Sequence, residues 1–459
     1  MITDDIAAIS TPPGEGGIAI VRLSGSGVIG KVEKIFEPFD TTVKLSNKKG
    51  YTLTLGWITN PDGEKIDEVL IGLMRGPKSY TGEDVVEINC HGGTLAAHKC
   101  LENVLRQGVR IAEPGEFTKR AFLNGRLDIS QAEAVIEIIR AKTEKSLKLA
   151  MNQILGKTSL YIEKIEDRLI KLNAMVEASL DFPDEVGDIS YYEAEQELKE
   201  ILSGVEKILE AAERGEIYRD GVKVVICGKP NVGKSSLMNA LARKEKAIVT
   251  SQPGTTRDII EDYINIRGIP VKLIDTAGIR VTEDEVEKIG VEKSQEVIRE
   301  ADLVIFLLDM GTGITAEDLD VFQSIENQKK IVLVNKEDLE KKNITEEELG
   351  KMFSGVAVIR GSVKEEVGLD DLEATIERMI LSGEVKDDQL DVMFNLRQKN
   401  LLLRARGHLQ DAIKSLQVAP LDCLGVDIWG ALESIGEIKG KNLKENVIDR
   451  IFHDFCIGK

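Results

Sequence analysis

Residues 222–236 read Val-Lys-Val-Val-Ile-Cys-Gly-Lys-Pro-Asn-Val-Gly-Lys-Ser-Ser. The β-branched run from Val222 to Ile226 predicts a buried parallel strand, and Leu237 and Leu241 open an apolar helical stripe behind it. Between them lies Gly228-x-x-x-x-Gly233-Lys234-Ser235, the spacing of a phosphate-binding loop in its strand-to-helix setting. Its glycines let the backbone curl so that successive N–H groups point inward, and the following helix adds the positive end of its dipole. Asn231, Val232, Gly233, Lys234, Ser235 and Ser236 are therefore the expected triphosphate contacts. Lys234 serves the β and γ phosphates and the Ser235 hydroxyl serves Mg2+.

Three further motifs follow in the order a nucleotide switch needs. Leu273-Ile274-Asp275-Thr276-Ala277-Gly278 ends a strand with a carboxylate for the Mg2+ shell and a glycine that brings backbone near a γ-phosphate. Ile331-Val332-Leu333-Val334 leads into Asn335-Lys336-Glu337-Asp338. The Asp338 carboxylate matches the paired N1–H and amino donors of guanine, which adenine lacks. Gly361-Ser362-Val363-Lys364, after Val356 to Ile359, fits the loop that closes over the base. Each motif stands at the carboxyl end of a predicted strand, where open α/β sheets bind ligands, so the set predicts a GTPase.

Between the first and second motifs, Thr250-Ser251-Gln252-Pro253-Gly254-Thr255-Thr256 lies in a Pro/Gly loop suited to switching, with Thr256 as the second Mg2+ ligand. The position after Gly278, where many GTPases place a water-orienting Gln, is Ile279. An isoleucine does not orient water. Another polar group must do so.

The chain resembles the MnmE (TrmE) family of tRNA-modification GTPases over essentially its whole length. The likeness rests on the phosphate loop, on Pro253-Gly-Thr-Thr-Arg-Asp258, on Asp284-Glu-Val-Glu-Lys-Ile-Gly290 and on Phe455-Cys-Ile-Gly-Lys459. The resemblance implies that Glu287 positions the attacking water through a solvent bridge, where composition alone would leave an exposed helix carboxylate. It also implies that Asn231, Thr250, Gln252 and Thr255 hold K+ beside the phosphates, doing the work of an arginine finger. Asn231 equally suits a left-handed turn. Further implications are a homodimer and a flavoprotein partner of the MnmG type that carries FAD and contributes much of the tRNA contact. The reaction implied is addition of a carboxymethylaminomethyl or aminomethyl group at carbon 5 of the wobble uridine. A tetrahydrofolate derivative, in its 5-formyl or methylene form, is the implied one-carbon carrier. The alternative is a ribosome-assembly switch of the Era type, which should append an RNA-binding domain with Gly-x-x-Gly in an α/β setting.

The formal charge of −19 and an aromatic content of 4% make the chain a poor general polyanion binder with few stacking platforms. RNA contact is therefore expected to be local or supplied by a partner. Five cysteines, Cys90, Cys100, Cys227, Cys423 and Cys456, show no C-x-x-C spacing, so neither a disulfide framework nor a zinc site is indicated, and a reducing cytoplasm is expected. Residues 1–10 carry Asp4 and Asp5 and lack the apolar core of a secretory signal. No run is expected to span a membrane. The terminal Cys-Ile-Gly-Lys ends in lysine, against a prenylation box.

Length suggests about three domains, which pattern lays out in four segments of chain. Residues 1–118 form an α+β unit, with strands at Gly17 to Leu23 and Asp84 to Asn89 and a helix from Gly93 to Leu105. The resemblance makes it a folate-binding, dimerising domain with Arg22, Glu87, Arg126 and Lys459 as ligands, although Arg22 and Glu87 also suit a structural ion pair. Asn89-Cys90-His91-Gly92-Gly93 reads as a structural turn rather than a Cys/His site, since neighbours on a strand face apart. Residues 119–219 are helical, with a capping box at Ser130/Glu133, one long amphipathic stretch to Leu180, and a second helix capped by Ser190/Glu193. Residues 220–380 are the P-loop α/β G domain with a parallel-rich sheet, inserted in this all-α domain, which resumes over 381–459. Arg397 to Arg406 reads as packing or solvated surface. Cys456 suits either a buried filler or, by resemblance, a thiol near the folate site.

Overall fold

Residues 19–23 alternate in burial, as a strand with one covered face must, and the strand Gly16–Ser24 that contains them sits inside a seven-stranded sheet. Its strands are β1 (Ile6–Ile9), β2 (Gly16–Ser24), β3 (Phe36–Pro38), β4 (Thr52–Thr59), β5 (Lys65–Met74), β6 (Val85–Gly92) and β7 (Arg110–Ile111). The order is β3-β4-β5-β6-β2-β1-β7, antiparallel throughout except for the β1–β7 pair. Val21, Leu23, Ile71, Leu73, Val86 and Ile88 point to a core completed by the helices Val28–Glu33 and Thr94–Arg106. The opposite face carries Arg22 and Glu87. The expected turn at residues 89–93 is corrected: β6 runs on to Gly92, because β2 supplies partners as far as Gly16. The computed structural model describes residues 4–182, 191–244, 263–275, 295–382, 390–416, 421–441 and 443–459.

The long amphipathic stretch is three helices, Ile129–Arg140, Glu144–Ile154 and Lys157–Asp181. Thr143 caps the second, its side chain accepting from the Ser146 N–H, and Gly156 at φ 80° breaks the chain before the third. The expected capping box is also corrected, since Asp128 and Gln131 perform it. Ser130 and Glu133 are buried and face the opposite direction. The Ser130 hydroxyl donates to the Ile438 carbonyl at 3.1 Å, and Glu133 accepts from Arg397 Nε at 2.7 Å and Nη2 at 2.9 Å and from Gln398 Nε2 at 2.6 Å. Arg397 is thus an ionic tie between distant segments, which its position in a basic run concealed. Glu133→Ala should destabilise the chain by about 3 kcal/mol, because it strands a half-buried guanidinium that retains, among the described residues, the Glu437 and Ile438 carbonyls. A denaturant midpoint within error of the parent would contradict this.

The helices Lys157–Asp181, Tyr191–Asp220, Leu396–Ser415 and Leu421–Lys439 share one aliphatic core containing Leu169, Leu198, Leu402 and Ile428. Ser190 lies outside the described residues. Gly221, at φ 82°, turns the chain from the second of these helices into the next strand. The six-stranded sheet comprises β8 (Val222–Cys227), β9 (Tyr263–Ile266), β10 (Ile269–Asp275), β11 (Leu303–Asp309), β12 (Lys330–Asn335) and β13 (Ala357–Arg360). Its order is β13-β12-β11-β8-β10-β9, parallel except for the β9 edge. Apolar residues cover both faces, which accounts for the unbroken Val/Ile/Leu runs. Because β8 has β10 on one side and β11 on the other, the loop after β8 opens at the point where the strand order reverses.

Candidate functional site

The loop leaving β8 turns at Gly228, Asn231 and Gly233, with φ of 143°, 65° and 107°. Glycine is required at the first and last. A Cβ on Gly228 would lie 2.6 Å from the Leu307 carbonyl, and one on Gly233 would meet Asn335 Nδ2. Asn231 takes the left-handed conformation unaided, as expected for its side chain. The helix Lys234–Lys244 follows directly.

Lys234 is buried, and its ammonium donates to the carbonyls of Gly228 at 2.7 Å and Lys229 at 2.8 Å, placing a positive charge inside the curl. Ser235 Oγ lies 3.2 Å from Asp275 Oδ2 at the end of β10. Two of the three residues expected around Mg2+ are therefore adjacent, and a hydroxyl with a carboxylate suits a hard cation that keeps several waters.

The loop is fastened from three sides. Asn335 donates through Nδ2 to the Val232 carbonyl at 2.8 Å and accepts from the Val363 N–H at 3.0 Å, so one amide joins the phosphate loop to the base loop. Lys336 Nζ reaches Asp309 Oδ2 at 2.6 Å and the Asn231 carbonyl at 3.1 Å. Lys229 Nζ pairs with the fully buried Asp318 at 2.8 Å. Sequence reasoning missed Asp309, Asp318 and Lys229. Asp309 had a readable signal as the polar end of an apolar strand, whereas Asp318 resembles any residue in the first turn of a helix.

Ser362 Oγ donates to Asp338 Oδ1 at 2.5 Å. That hydrogen bond holds the Asp338 carboxyl below the usual carboxylate range. Asp338→Asn should weaken guanine nucleotide binding about 100-fold, because the amide turns a donor toward the guanine amino group. It should improve binding of the xanthine analogue, whose carbonyl accepts that donor. Nucleotide titration of both bases checks this, and unchanged guanine affinity would contradict it. Thr250, Ser251, Gln252, Pro253, Gly254, Thr255, Thr256, Thr276, Ala277, Gly278, Ile279 and Glu287 lie outside the described residues.

A second constellation forms on the outer face of the first sheet. Arg22 and Glu87 are direct cross-strand partners, with Nε 2.9 Å from Oε1. Arg22 Nη1 also donates to the Gly458 carbonyl at 3.1 Å, and its guanidinium lies 5.6 Å from the Tyr80 ring centroid. Arg126 covers the same ring at 5.0 Å. The last residues are pinned here by Ser10 Oγ on the Gly458 carbonyl at 3.0 Å and by the Phe117 N–H on the Lys459 carbonyl at 3.2 Å. Burial, then the neighbouring Arg22, lowers the Lys459 amine from its ordinary value. Arg22 and Arg126 thus flank Tyr80, an aromatic platform that sequence reasoning missed, while Glu87 pairs with Arg22 and the Lys459 amine lies within electrostatic reach of both. Cys456 is exposed while Phe455 beside it is buried, so the filler expectation is corrected: the tail is anchored through its phenylalanines. No described helix is long and apolar enough to cross a membrane.

The family profile described as "MnmE helical domain" matches residues 129–456, and "GTP-binding protein TrmE N-terminus" matches residues 5–126. The tRNA modification GTPase MnmE of Syntrophomonas wolfei is 67% identical over 100% of both chains. The proteins of that name from Desulforamulus reducens and Alkaliphilus oremlandii are 47% and 48% identical, again over 100% of both. A solved Era structure from Aquifex aeolicus is 26% identical over 41% of this chain and 66% of its own, with a TM-score of 0.28. Full-length identity at this level, joined to two family profiles that together span almost the whole sequence, makes this chain a member of the MnmE (TrmE) family of tRNA modification GTPases.

Proposed function

We propose that the chain hydrolyses GTP and couples the cycle to modification of tRNA at carbon 5 of the wobble uridine. The observation that carries the GTPase half is Lys234 inside the loop, Ser235 beside Asp275, and Asn335 linking that loop to Val363, next to the bonded pair Ser362 and Asp338. Ser235 and Thr256 would ligate Mg2+, and Asn231, Thr250, Gln252 and Thr255 would ligate K+. Glu287 would orient the water. Support for a folate site is the chemistry gathered about Arg22: the Glu87 carboxylate paired with it suits a pterin amino edge, and Arg22 and Arg126 over Tyr80, with the nearby Lys459, suit a glutamyl tail or formyl oxygen.

The domain reading places folate and dimer contacts in 1–118, the G domain in 220–380, and one helical body in 119–219 and 381–459. A core shared by helices on both sides of the G domain in sequence favours an interrupted body. Leu53, Leu55 and Leu70, exposed on the outer face of β4 and β5, favour a second copy packed against that sheet. A flavoprotein of the MnmG type would supply FAD and the basic surface that an acidic chain lacks. The ribosome-assembly alternative is disfavoured by the family profile over 129–456.

Nucleoside analysis of tRNA from cells lacking this protein tests the reading. Loss of the wobble modification, restored by the parent gene, is the expected result, and an unchanged nucleoside profile would overturn it.

A further inference from the structure

Cys90 on β6 and Cys100 on the helix Thr94–Arg106 are ten residues apart, outside the short spacings by which thiol metal sites are usually read. The fold nonetheless brings them together. Their sulfurs and a carboxylate oxygen of Asp67 on β5 all lie within 4.8 Å of one another, so three separate elements contribute one donor each. Both thiols are buried, at 2% and 0% exposure. Asp67 closes the group toward solvent and is itself held by His91, whose backbone N–H donates to Oδ2 at 2.7 Å and whose Nδ1 lies 2.6 Å from Oδ1. The His91 side chain is 70% exposed and marks the mouth of the cluster. This group faces the helix-covered core side of the sheet, whereas Arg22 and Glu87 stand on the other.

We infer that Cys90, Cys100 and Asp67 form a binding site for a thiophilic divalent cation of the zinc class, with water completing the coordination. Zinc–sulfur bonds of ~2.3 Å in a tetrahedron place two sulfurs about 3.8 Å apart, so the donors need to close by about 1 Å at most. Binding forms two metal–sulfur bonds as two thiol protons leave to solvent, and no oxidant is involved. Two thiolates, one carboxylate and a dication carry a net single negative charge, which the interior tolerates far better than bare thiolates. The Asp67–His91 pair orients the carboxylate ligand, as outer partners do in metal sites. The bound ion would staple β5 and β6 to the helix that covers them.

The test uses the full-length chain, nucleotide-free and kept reduced with a non-chelating phosphine, titrated with Co2+ and then Zn2+. Expected is a thiolate-to-cobalt charge-transfer band that saturates at one ion per chain and is displaced by Zn2+, with a rise in Tm on Zn2+ addition. Cys90→Ser and Cys100→Ser should each lose the band, Cys456→Ser should keep it, and His91→Ala should weaken binding about tenfold to a hundredfold. If a serine variant folds poorly, Zn2+ protection of two thiols in the parent chain against alkylation, mapped to Cys90 and Cys100, decides the matter. Absence of the band in the parent, or a band lost with Cys456→Ser and kept in Cys90→Ser, would overturn the site. So would a Cys90–Cys100 disulfide in the isolated chain that, once reduced, leaves no metal binding.

Discussion

Lys234→Ala should lower GTP hydrolysis by about 10³- to 10⁵-fold while leaving the chain folded, because the ammonium is a preorganised charge aimed where phosphate oxygens gather negative charge. The side chain is held by two carbonyls of the loop it serves. Removing it frees those carbonyls at a cost of about 1–3 kcal/mol. The loop should nevertheless keep its shape through Asn335 on Val232, Lys336 on Asn231 and Lys229 on Asp318, none of which involves Lys234. Single-turnover hydrolysis with Mg2+, beside thermal unfolding, separates catalysis from folding. Near-parent turnover in a folded variant would remove the phosphate assignment. A collapse in Tm with proportionate loss of turnover would make Lys234 a structural residue instead.

The sequence carried the G domain because its chemistry is local. A strand, a glycine-bounded loop and a helix lie within 25 residues, and spacing alone places Lys234 and Ser235. The neighbourhood of Ser235 and Asp275, 40 residues apart, was legible because each ends or follows a strand of one parallel sheet. The anchors of the loop were less legible. Lys229 pairs with a residue 89 positions away, and nothing near Asp318 distinguishes it from an ordinary helix-start carboxylate. Glu133 misled for a related reason. Ser-x-x-Glu fits a capping box, yet the preceding Asp128 with Gln131 fits as well, and tertiary contacts to Arg397 and Ile438 decided between them. On the first sheet, strands at Gly17 to Leu23 and Asp84 to Asn89 were readable from alternation. Their register, which sets Arg22 against Glu87, depends on pairing across 65 residues and was not.

Hydrolysis should be much faster in K+ than in Na+: a monovalent ion seated at the β and γ phosphates supplies a charge worth about a thousandfold in rate, and the smaller, more strongly hydrated Na+ fills a site sized for K+ poorly. Asn231 is where the described residues bear on this. Its φ of 65° departs from the ordinary helical and extended ranges, and its carbonyl is fixed by Lys336, so the residue sits in a defined place at the loop's crest. A neutral amide oxygen there suits a large, weakly hydrated monovalent ion better than Mg2+, which demands close octahedral geometry. Asn231→Ala should therefore lose most of the K+ stimulation while retaining Mg2+-dependent nucleotide binding, since Lys234, Ser235 and Asp275 are untouched. Rates are to be compared at matched ionic strength and at chain concentrations high enough for two G domains to meet. Equal rates in the two salts would remove the monovalent ion from the mechanism. A K+ response that survives Asn231→Ala would instead place the ion away from the phosphate loop.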